Sequence, residues 1–323
     1  MKRTELYKKN SHIERVLARM NGALAPLERR LIARFNAPVY PIIFIVGVQR
    51  SGTTLLTQLL TRWADVGYVS NLMARFWRAP YVGAVLTNVL AQISRSTSSS
   101  FKSDLGYTLG HNGPHEFGYF WRHWLPGGAE HSLDSVELEK VDRVLLLREL
   151  ASVEHAFGIP LVFKNLTVCS LHITFLASLL PRAVFVDCVR HPLFAAQSTL
   201  ESRRKLYGNS DEWLGLKPPE YTWLREKPYL EQIAGQVFFC RQHIEEALAM
   251  IPPSRYLRVD YQTLCERPQH QLERITRLVS GVGYDLDRTG IVLPSLQHTD
   301  QKRLDDTEYD LLRKACEQYF GHQ

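Results

Sequence analysis

Between residues 41 and 60 the chain reads PIIFIVGVQRSGTTLLTQLL. An unbroken apolar run, mostly β-branched, stops at Gly47, and a helical pattern begins near Gly52. A strand without polar alternation is buried on both faces, and a parallel sheet covered by helices is the usual way to bury it. Residues 41–47 are therefore predicted as a buried strand and 52–63 as the helix after it. The same grammar returns downstream. LVFK (161–164) reads as a strand, LHITFLASLL (171–180) as a helix and AVFVDCV (183–189) as a strand. RHP (190–192) makes a turn, and a helix begins near Leu193. RYLRVD (255–260) reads as a further strand, with a helix from about Pro268. Strands alternating with helices predict an α/β fold: a P-loop-like central parallel sheet flanked by helices.

Ahead of this sheet lies a segment of different character. Ile13, Val16, Leu17, Met20, Leu24, Leu27 and Leu31 recur every three or four residues, one face of a helix, with an interruption expected near Pro26. Residues 1–35 hold nine basic residues and three glutamates, a balance of +6 that equals the net charge of the whole chain. The basic excess is thus a property of this arm. It gives no whole-molecule signal for nucleic acid. The division expected is an arm over 1–38 and a single domain over 39–323. The arm either packs on that domain or rests as a basic amphipathic element on an anionic membrane.

The 323 residues are enough for a real core, and 45% hydrophobic with 22% charged residues is ordinary for a globular protein. No apolar run approaches the ~20 residues of a membrane-spanning helix. MKRTELYKKNSHIERV has no apolar core of a secretory signal. Five cysteines (Cys169, Cys188, Cys240, Cys265, Cys316) are scattered without CxxC spacing. That predicts a reducing, cytoplasmic setting, peripheral to the inner membrane face if the arm docks there, with neither a disulfide framework nor a zinc site. No internal repeat is visible. SRSTSSSFKSD (94–104) is expected to be a mobile loop. Residues 207–229, with Trp213, Tyr221, Trp223 and Tyr229, suit either a lid or a packed surface loop.

Written as a pattern, GVQRSGTT is G-x-x-x-x-G-T-T, against G-x-x-x-x-G-K-[ST] in ATP-binding loops. Thr53 stands at the lysine position. Backbone amides and the helix N-terminus still suit phosphate oxygens, but the cation that reaches β- and γ-phosphates is missing. Arg50 offers a forked cation at the apex instead. A second anion site is suggested by RHPLFAAQS (190–198): Arg190 ends a strand, where α/β sheets bind ligands, and Ser198 lies two turns into the next helix.

Together, RSGTT after a buried strand and R-x7-S after a later one resemble the PAPS-dependent sulfotransferase family, in the arginine-loop form similar to its bacterial and protein-tyrosine branches. The resemblance runs from about residue 41 to 200 and more loosely to 303. It implies transfer of a sulfuryl group from PAPS to a hydroxyl of a small molecule, glycan or lipid, with release of PAP and no metal. By that likeness Arg50, Ser51, Gly52, Thr53 and Thr54 wrap the 5′-phosphosulfate. Arg190 and Ser198 hold the 3′-phosphate, with Arg203 or Arg204 assisting. Lys164 resembles the lysine that stabilises the bridging oxygen as PAP leaves, acting with Arg50. Tyr261 resembles the tyrosine lining the adenosine site. Thr299, Lys302 and Arg303 lie in a segment similar to the one that closes over the cofactor.

The likeness supplies no general base. Asn71 stands where the protein-tyrosine branch has a glutamate, and Leu166 where the phenol and steroid branch has a histidine. Neither takes a proton, although Asn71 retains a role in orienting the acceptor. The chain's own candidates lie in HNGPHEFGYFWRHW (111–124). Glu116 is first, partly desolvated among aromatics, His115 second, and His111 and His123 follow. The structural alternatives for Glu116 are a helix cap or a pair with Arg122. Two rival functions stay open on the sequence: an ATP-dependent small-molecule kinase using Asp187 or Asp260 for Mg²⁺, and a non-catalytic PAP- or polyanion-binding protein.

Overall fold

β1 (Ile43–Gly47) is the centre of a five-stranded parallel sheet in a computed structural model that describes residues 3–8, 10–93 and 103–321. It pairs with β5 (Leu161–Lys164) on one side and β6 (Val184–Val189) on the other. β2 (Gly67–Tyr68) and β7 (Tyr256–Asp260) form the edges. β3 (Ser103–Asp104) and β4 (Tyr107–Thr108) make a separate antiparallel hairpin. The helices are α1 (Ser11–Ile32), α2 (Thr53–Trp63), α3 (Pro80–Ile93), α4 (Gly118–Trp124) and α5 (Ser135–Glu139). Then come α6 (Arg143–Phe157), α7 (Leu166–Cys169), α8 (Ile173–Leu179), α9 (Pro192–Tyr207) and α10 (Tyr221–Leu224). The chain ends with α11 (Tyr229–Ala249), α12 (Tyr261–Glu266), α13 (Pro268–Ser280) and α14 (Asp306–Phe320).

The two-residue period of β1 divides the core. Phe44 and Val46 join a cluster with Trp121, Phe163, Phe185 and Leu200, while Ile43 and Ile45 join Leu56, Leu60, Val186 and Leu272 on the opposite face. Every β1 residue is buried, as the unbroken apolar run requires. Each such side chain stabilises the fold by roughly 1.5–3 kcal/mol on burial, so both helical layers are needed to keep the sheet.

The elements expected from apolar periodicity are present, with three differences. The helix expected over 171–180 is α8, and an unexpected first piece, α7, precedes it across Ser170–His172. Asn165 caps the first piece by accepting from Val168 N. Pro26 does not interrupt α1, although it removes one backbone donor. Tertiary hydrogen bonds pin the helix on both sides of it. Before it, Asn21 Nδ2 donates to Arg75 O and its Oδ1 accepts from Arg78 N. After it, Glu28 accepts from the amides of Tyr81 and Val82, which open α3. Of the Ser-rich stretch, residues 94–102 lie outside the described residues, and Ser103–Asp104 are the first strand of the hairpin.

Because the sheet is parallel, the carboxyl ends of its strands share one edge. Gly47, Lys164, Arg190 and Tyr261 sit at or just beyond those ends, on four different strands. The fold therefore collects at one crevice the residues that the sequence spreads over more than two hundred positions.

Candidate active site

The loop after β1 has the backbone an anion needs. Arg50 (φ 65°) and Gly52 (φ 97°) are both left-handed, on either side of Ser51. Such alternation turns successive N–H groups toward one concavity at the start of α2. A side chain at Gly52 would run into the Tyr261 ring, 2.4 Å from its Cδ2, so glycine is needed for close packing as well as for φ. Ser51 Oγ donates to Val48 O, and Cys188 Sγ donates to Ser51 O, which ties the loop to β6.

Two guanidinium groups converge on this loop. Arg50 Nε donates to Ser198 Oγ at 3.0 Å, and Arg190 Nη1 donates to Arg50 O at 2.8 Å. Burial first, and then the Arg190 charge, push the Arg50 pKa down. Among the described residues Arg50 has no carboxylate partner, whereas Arg190 is paired with Asp300 at 2.6 Å and also donates to Thr299 Oγ1. The Arg190 guanidinium lies over the Tyr261 ring, 4.5 Å from its centroid, and the Tyr261 hydroxyl meets Thr299 Oγ1 at 3.2 Å. The structure thus brings Arg50, Ser198, Arg190, Tyr261 and Thr299 together. A partly buried cation beside a second cation, with no carboxylate of its own, fits a bound oxyanion.

On the other side of the loop Lys164 Nζ contacts Glu116 Oε1 at 2.5 Å. Lys164 is buried; the Glu116 side chain is 36% exposed. No described group donates to the second Glu116 oxygen, and the residue lines the open cleft. Asn165 Nδ2 donates to Glu116 O, and Phe117 follows with φ 53° as the N-cap of α4. The hairpin tip covers this pair: a Cβ on Gly106 would lie 3.6 Å from Thr54 Oγ1 and 4.0 Å from Lys164 Nζ. Asp104 on that hairpin is bonded to Tyr7 Oη and Lys205 Nζ.

Several expectations are corrected here. Glu116 neither pairs with Arg122 nor is enclosed by the aromatics that follow it. Phe117, Phe120 and Trp121 turn into the core, leaving the carboxylate at the cleft. His115 lines the cleft, but its Nδ1 accepts from Phe117 N. Asn71 directs its amide to the carbonyls of Thr108 and Gly110, so it fastens the segment after the hairpin and has no amide proton left to orient an acceptor. Arg203 is buried against Gln232, Gln236 and Trp213, and Arg204 pairs with Glu308, so neither assists Arg190. Lys302 pairs with Asp306 and Arg303 with Glu201. His111 lines the cleft; His123 does not. Trp213 and Tyr221 form a small core with Leu224, so the 207–229 insertion is packed, although Trp213 through Lys217 still line the cleft.

The sequence also hid three features. Gln49, 5% exposed and lining the cleft under Gly215, has no hydrogen-bond partner for either amide atom among the described residues. Asp300 is the counter-charge of Arg190. His131 lines the cleft with its pKa pushed down to about 4, by burial and then by Arg122 and Lys217, which makes it a poor proton acceptor at neutral pH. Gln49 had one legible signal, its place inside the loop motif; the others depend on chain segments far apart in sequence.

The cleft holds about 1170 Å³, more than the roughly 300–1,000 Å³ that encloses one drug-sized ligand. From the loop it runs past Lys164 and Glu116 to Trp77, Tyr119, Leu125, Ile13 and Leu17. A smaller cavity of about 330 Å³, at Phe238, Arg241, Gln242, Glu245 and Phe320, lies elsewhere. The acids that a Mg²⁺-dependent kinase would use are engaged. Asp187 is fully buried in a bidentate pair with Arg241, and Asp260 caps α12 through Thr263. Among the described residues no cluster of three metal-ligating side chains occurs.

A glycine-bounded loop at the carboxyl edge of a parallel sheet, with a second arginine just after the neighbouring strand, defines a P-loop-like α/β protein. Within that class the chain belongs to the sulfotransferase family, whose sequence model matches residues 41–282. It is 25% identical over 260 residues to the omega-hydroxy-beta-dihydromenaquinone-9 sulfotransferase Stf3 of Mycobacterium bovis and of Mycobacterium tuberculosis. That match covers 73% of this chain and 61% of those relatives, so the chain spans about three fifths of their length. In fold it is similar to the sulfotransferase STF9 from Mycobacterium avium (TM-score 0.53, 15% identity, 87% of this chain and 76% of that one). It is also similar to the sulfotransferase STF1 from Mycobacterium tuberculosis H37Rv (TM-score 0.52, 14% identity, 94% and 81%).

Proposed function

We propose that this chain transfers the sulfuryl group of PAPS to the hydroxyl of a lipid-like acceptor and releases PAP, as a cytoplasmic enzyme in contact with the membrane. The observation that carries the reading is the convergence of Arg50 and Arg190 on one glycine-bounded loop, with no carboxylate paired to Arg50 among the described residues. Family membership supports sulfuryl transfer, and the Stf3 relatives, by their name, act on a hydroxylated menaquinone derivative. Five free, buried cysteines fit a reducing compartment.

In this reading the amides of residues 50–53 and the Arg50 guanidinium bind the 5′-phosphosulfate, with Thr54 beside it. Arg190 and Ser198 bind the 3′-phosphate, and Tyr261 stacks beside the adenosine. Thr299 and Asp300 hold Arg190 in place until that phosphate arrives. Glu116 takes the acceptor proton as the oxygen lone pair forms the new O–S bond. The old S–O bond breaks toward the phosphate, and Lys164 meets the charge that develops there. The ion pair couples the two events, because a protonated Glu116 no longer holds Lys164. His115 positions the turn that presents Glu116. Gln49, with both amide atoms unpaired among the described residues, hydrogen-bonds the transferring group or the acceptor hydroxyl.

The test is PAP release from PAPS on addition of a hydroxylated polyprenyl quinone. Release that requires both compounds and stops in Glu116→Gln supports the assignment. Release unaffected by that substitution removes Glu116 as the base.

A further inference from the structure

The packing of α1 leaves an apolar stripe uncovered. Its inner side is fixed by Asn21, Glu28 and Ile32, all buried. Ile13, Val16, Leu27 and Leu31 are 46%, 50%, 48% and 38% exposed. At 100° per residue they share one sector of the helix roughly 60° wide, beside the inner side. Arg15, Arg19 and Arg30 occupy the next sector, again about 60° wide, and all three are exposed. No ion pair among the described residues involves them. The exposed surface of α1 therefore carries a row of unpaired cations alongside a row of aliphatics, the arrangement of a helix that lies in the plane of an anionic bilayer. α3, which packs against α1, exposes a second aliphatic row at Val85, Leu86, Val89 and Leu90.

The same helix is a wall of the active-site cleft. Ile13 and Leu17 line it, and Glu14 accepts a hydrogen bond from Tyr119 on α4 across the opening. We propose that α1 docks the protein on an anionic lipid bilayer, and that an amphiphilic hydroxyl acceptor passes from the bilayer into the cleft beside Ile13 and Leu17. Docking stands on the exposed surface of α1 alone; delivery of the acceptor rests on the function proposed above. The occupant is a bilayer and not a second copy of this chain because the stripe is flanked by three like charges. Charge complementarity favours an anionic partner, while two copies of this face would bring like charges together.

The experiment is co-sedimentation of the full chain with vesicles of phosphatidylcholine alone or of phosphatidylcholine with phosphatidylglycerol. R15A/R19A/R30A and V16S/L27S/L31S are compared with the parent, and PAP-induced stabilisation of each is measured in parallel. The parent should bind the anionic vesicles and not the neutral ones, and lose binding in high salt. The arginine variant should bind about 100-fold more weakly, at about fivefold per arginine. The serine variant should bind at least tenfold more weakly, and both should keep the full response to PAP. Equal binding to both vesicle types, or an arginine variant that binds like the parent, overturns the proposal. So does a concentration-dependent dimer that V16S/L27S/L31S abolishes, since a second copy then covers the stripe. Vesicle binding without any PAP response in the parent leaves docking intact and removes the functional reading instead.

Discussion

The two ends of the cleft are built differently. The proposed nucleotide end rests on β1, β6 and β7 and their first helical turns: the loop is tied to β6 through Ser51, Arg190 donates to Arg50 O and pairs with Asp300, and Arg50 donates to Ser198. The acceptor end is carried by insertions between strands, a two-stranded hairpin and the seven-residue α4, fastened by side chains such as Asn71 and Asp104. In the proposed function the contrast makes donor recognition a property of the sheet, and acceptor recognition a property of insertions free to vary without disturbing it. Lys164 and Glu116 form the joint between the two ends, one on a strand and one on an insertion.

The comparison breaks if changes at one end act like changes at the other. The largest effect is expected at the sheet. Arg50→Ala removes a cation aimed at developing charge, so kcat/KM should fall about 10³-fold and stabilisation by PAP should largely disappear. Next is the joint: Glu116→Gln should lower kcat about 10²-fold or more while leaving PAP binding within a few-fold. A kcat that falls together with PAP affinity would show that Glu116 serves the donor end. Gln49→Ala should weaken donor or acceptor binding about tenfold, read as KM or as a PAP titration. Its melting temperature should not fall, because the amide removed has no partner among the described residues.

The smallest effect lies beneath the acceptor end. Trp124 of α4 donates to Glu149 Oε2, and burial raises the Glu149 pKa to about 8. A carboxyl raised above its unfolded value stabilises the fold fully below that value and loses the contribution as pH rises toward 8. Glu28, raised by burial to about 7 under the start of α3, acts in the same direction. Glu149→Gln keeps an acceptor for Trp124 and abolishes the titration. Its melting temperature, relative to the parent, should gain a few degrees at pH 8 and almost nothing at pH 5. Equal shifts at the two pH values would contradict the assignment.

The same division explains what the sequence disclosed. The strands, the GVQRSGTT loop and the Arg190–Ser198 pair were legible because each is a local pattern of spacing next to an apolar run, and the parallel sheet fixes where such patterns meet. Glu116 was legible as a carboxylate in a dense aromatic segment, but its partner was not. Whether it meets Arg122 or Lys164 depends on how an insertion folds back over a strand 48 residues away. Arg203 and Arg204 had the right chemistry next to Ser198, yet α9 turns one into the core and the other toward α14. Pro26 looked like a break because local rules set its cost, and the bonds of Asn21 and Glu28 that keep α1 continuous are tertiary.

The central claim, that the paired arginines receive a nucleotide with a 3′-phosphate and a 5′-phosphosulfate, has a direct test in thermal stability with three ligands. PAP, adenosine 5′-phosphosulfate and ATP with Mg²⁺ are each titrated against the intact chain. A ligand at about 100 times its Kd adds about 2.7 kcal/mol. The account expects a large shift with PAP, a much smaller one with adenosine 5′-phosphosulfate, which lacks the group assigned to Arg190 and Ser198, and none with ATP and Mg²⁺. Stabilisation by ATP and Mg²⁺ with no response to PAP would contradict it.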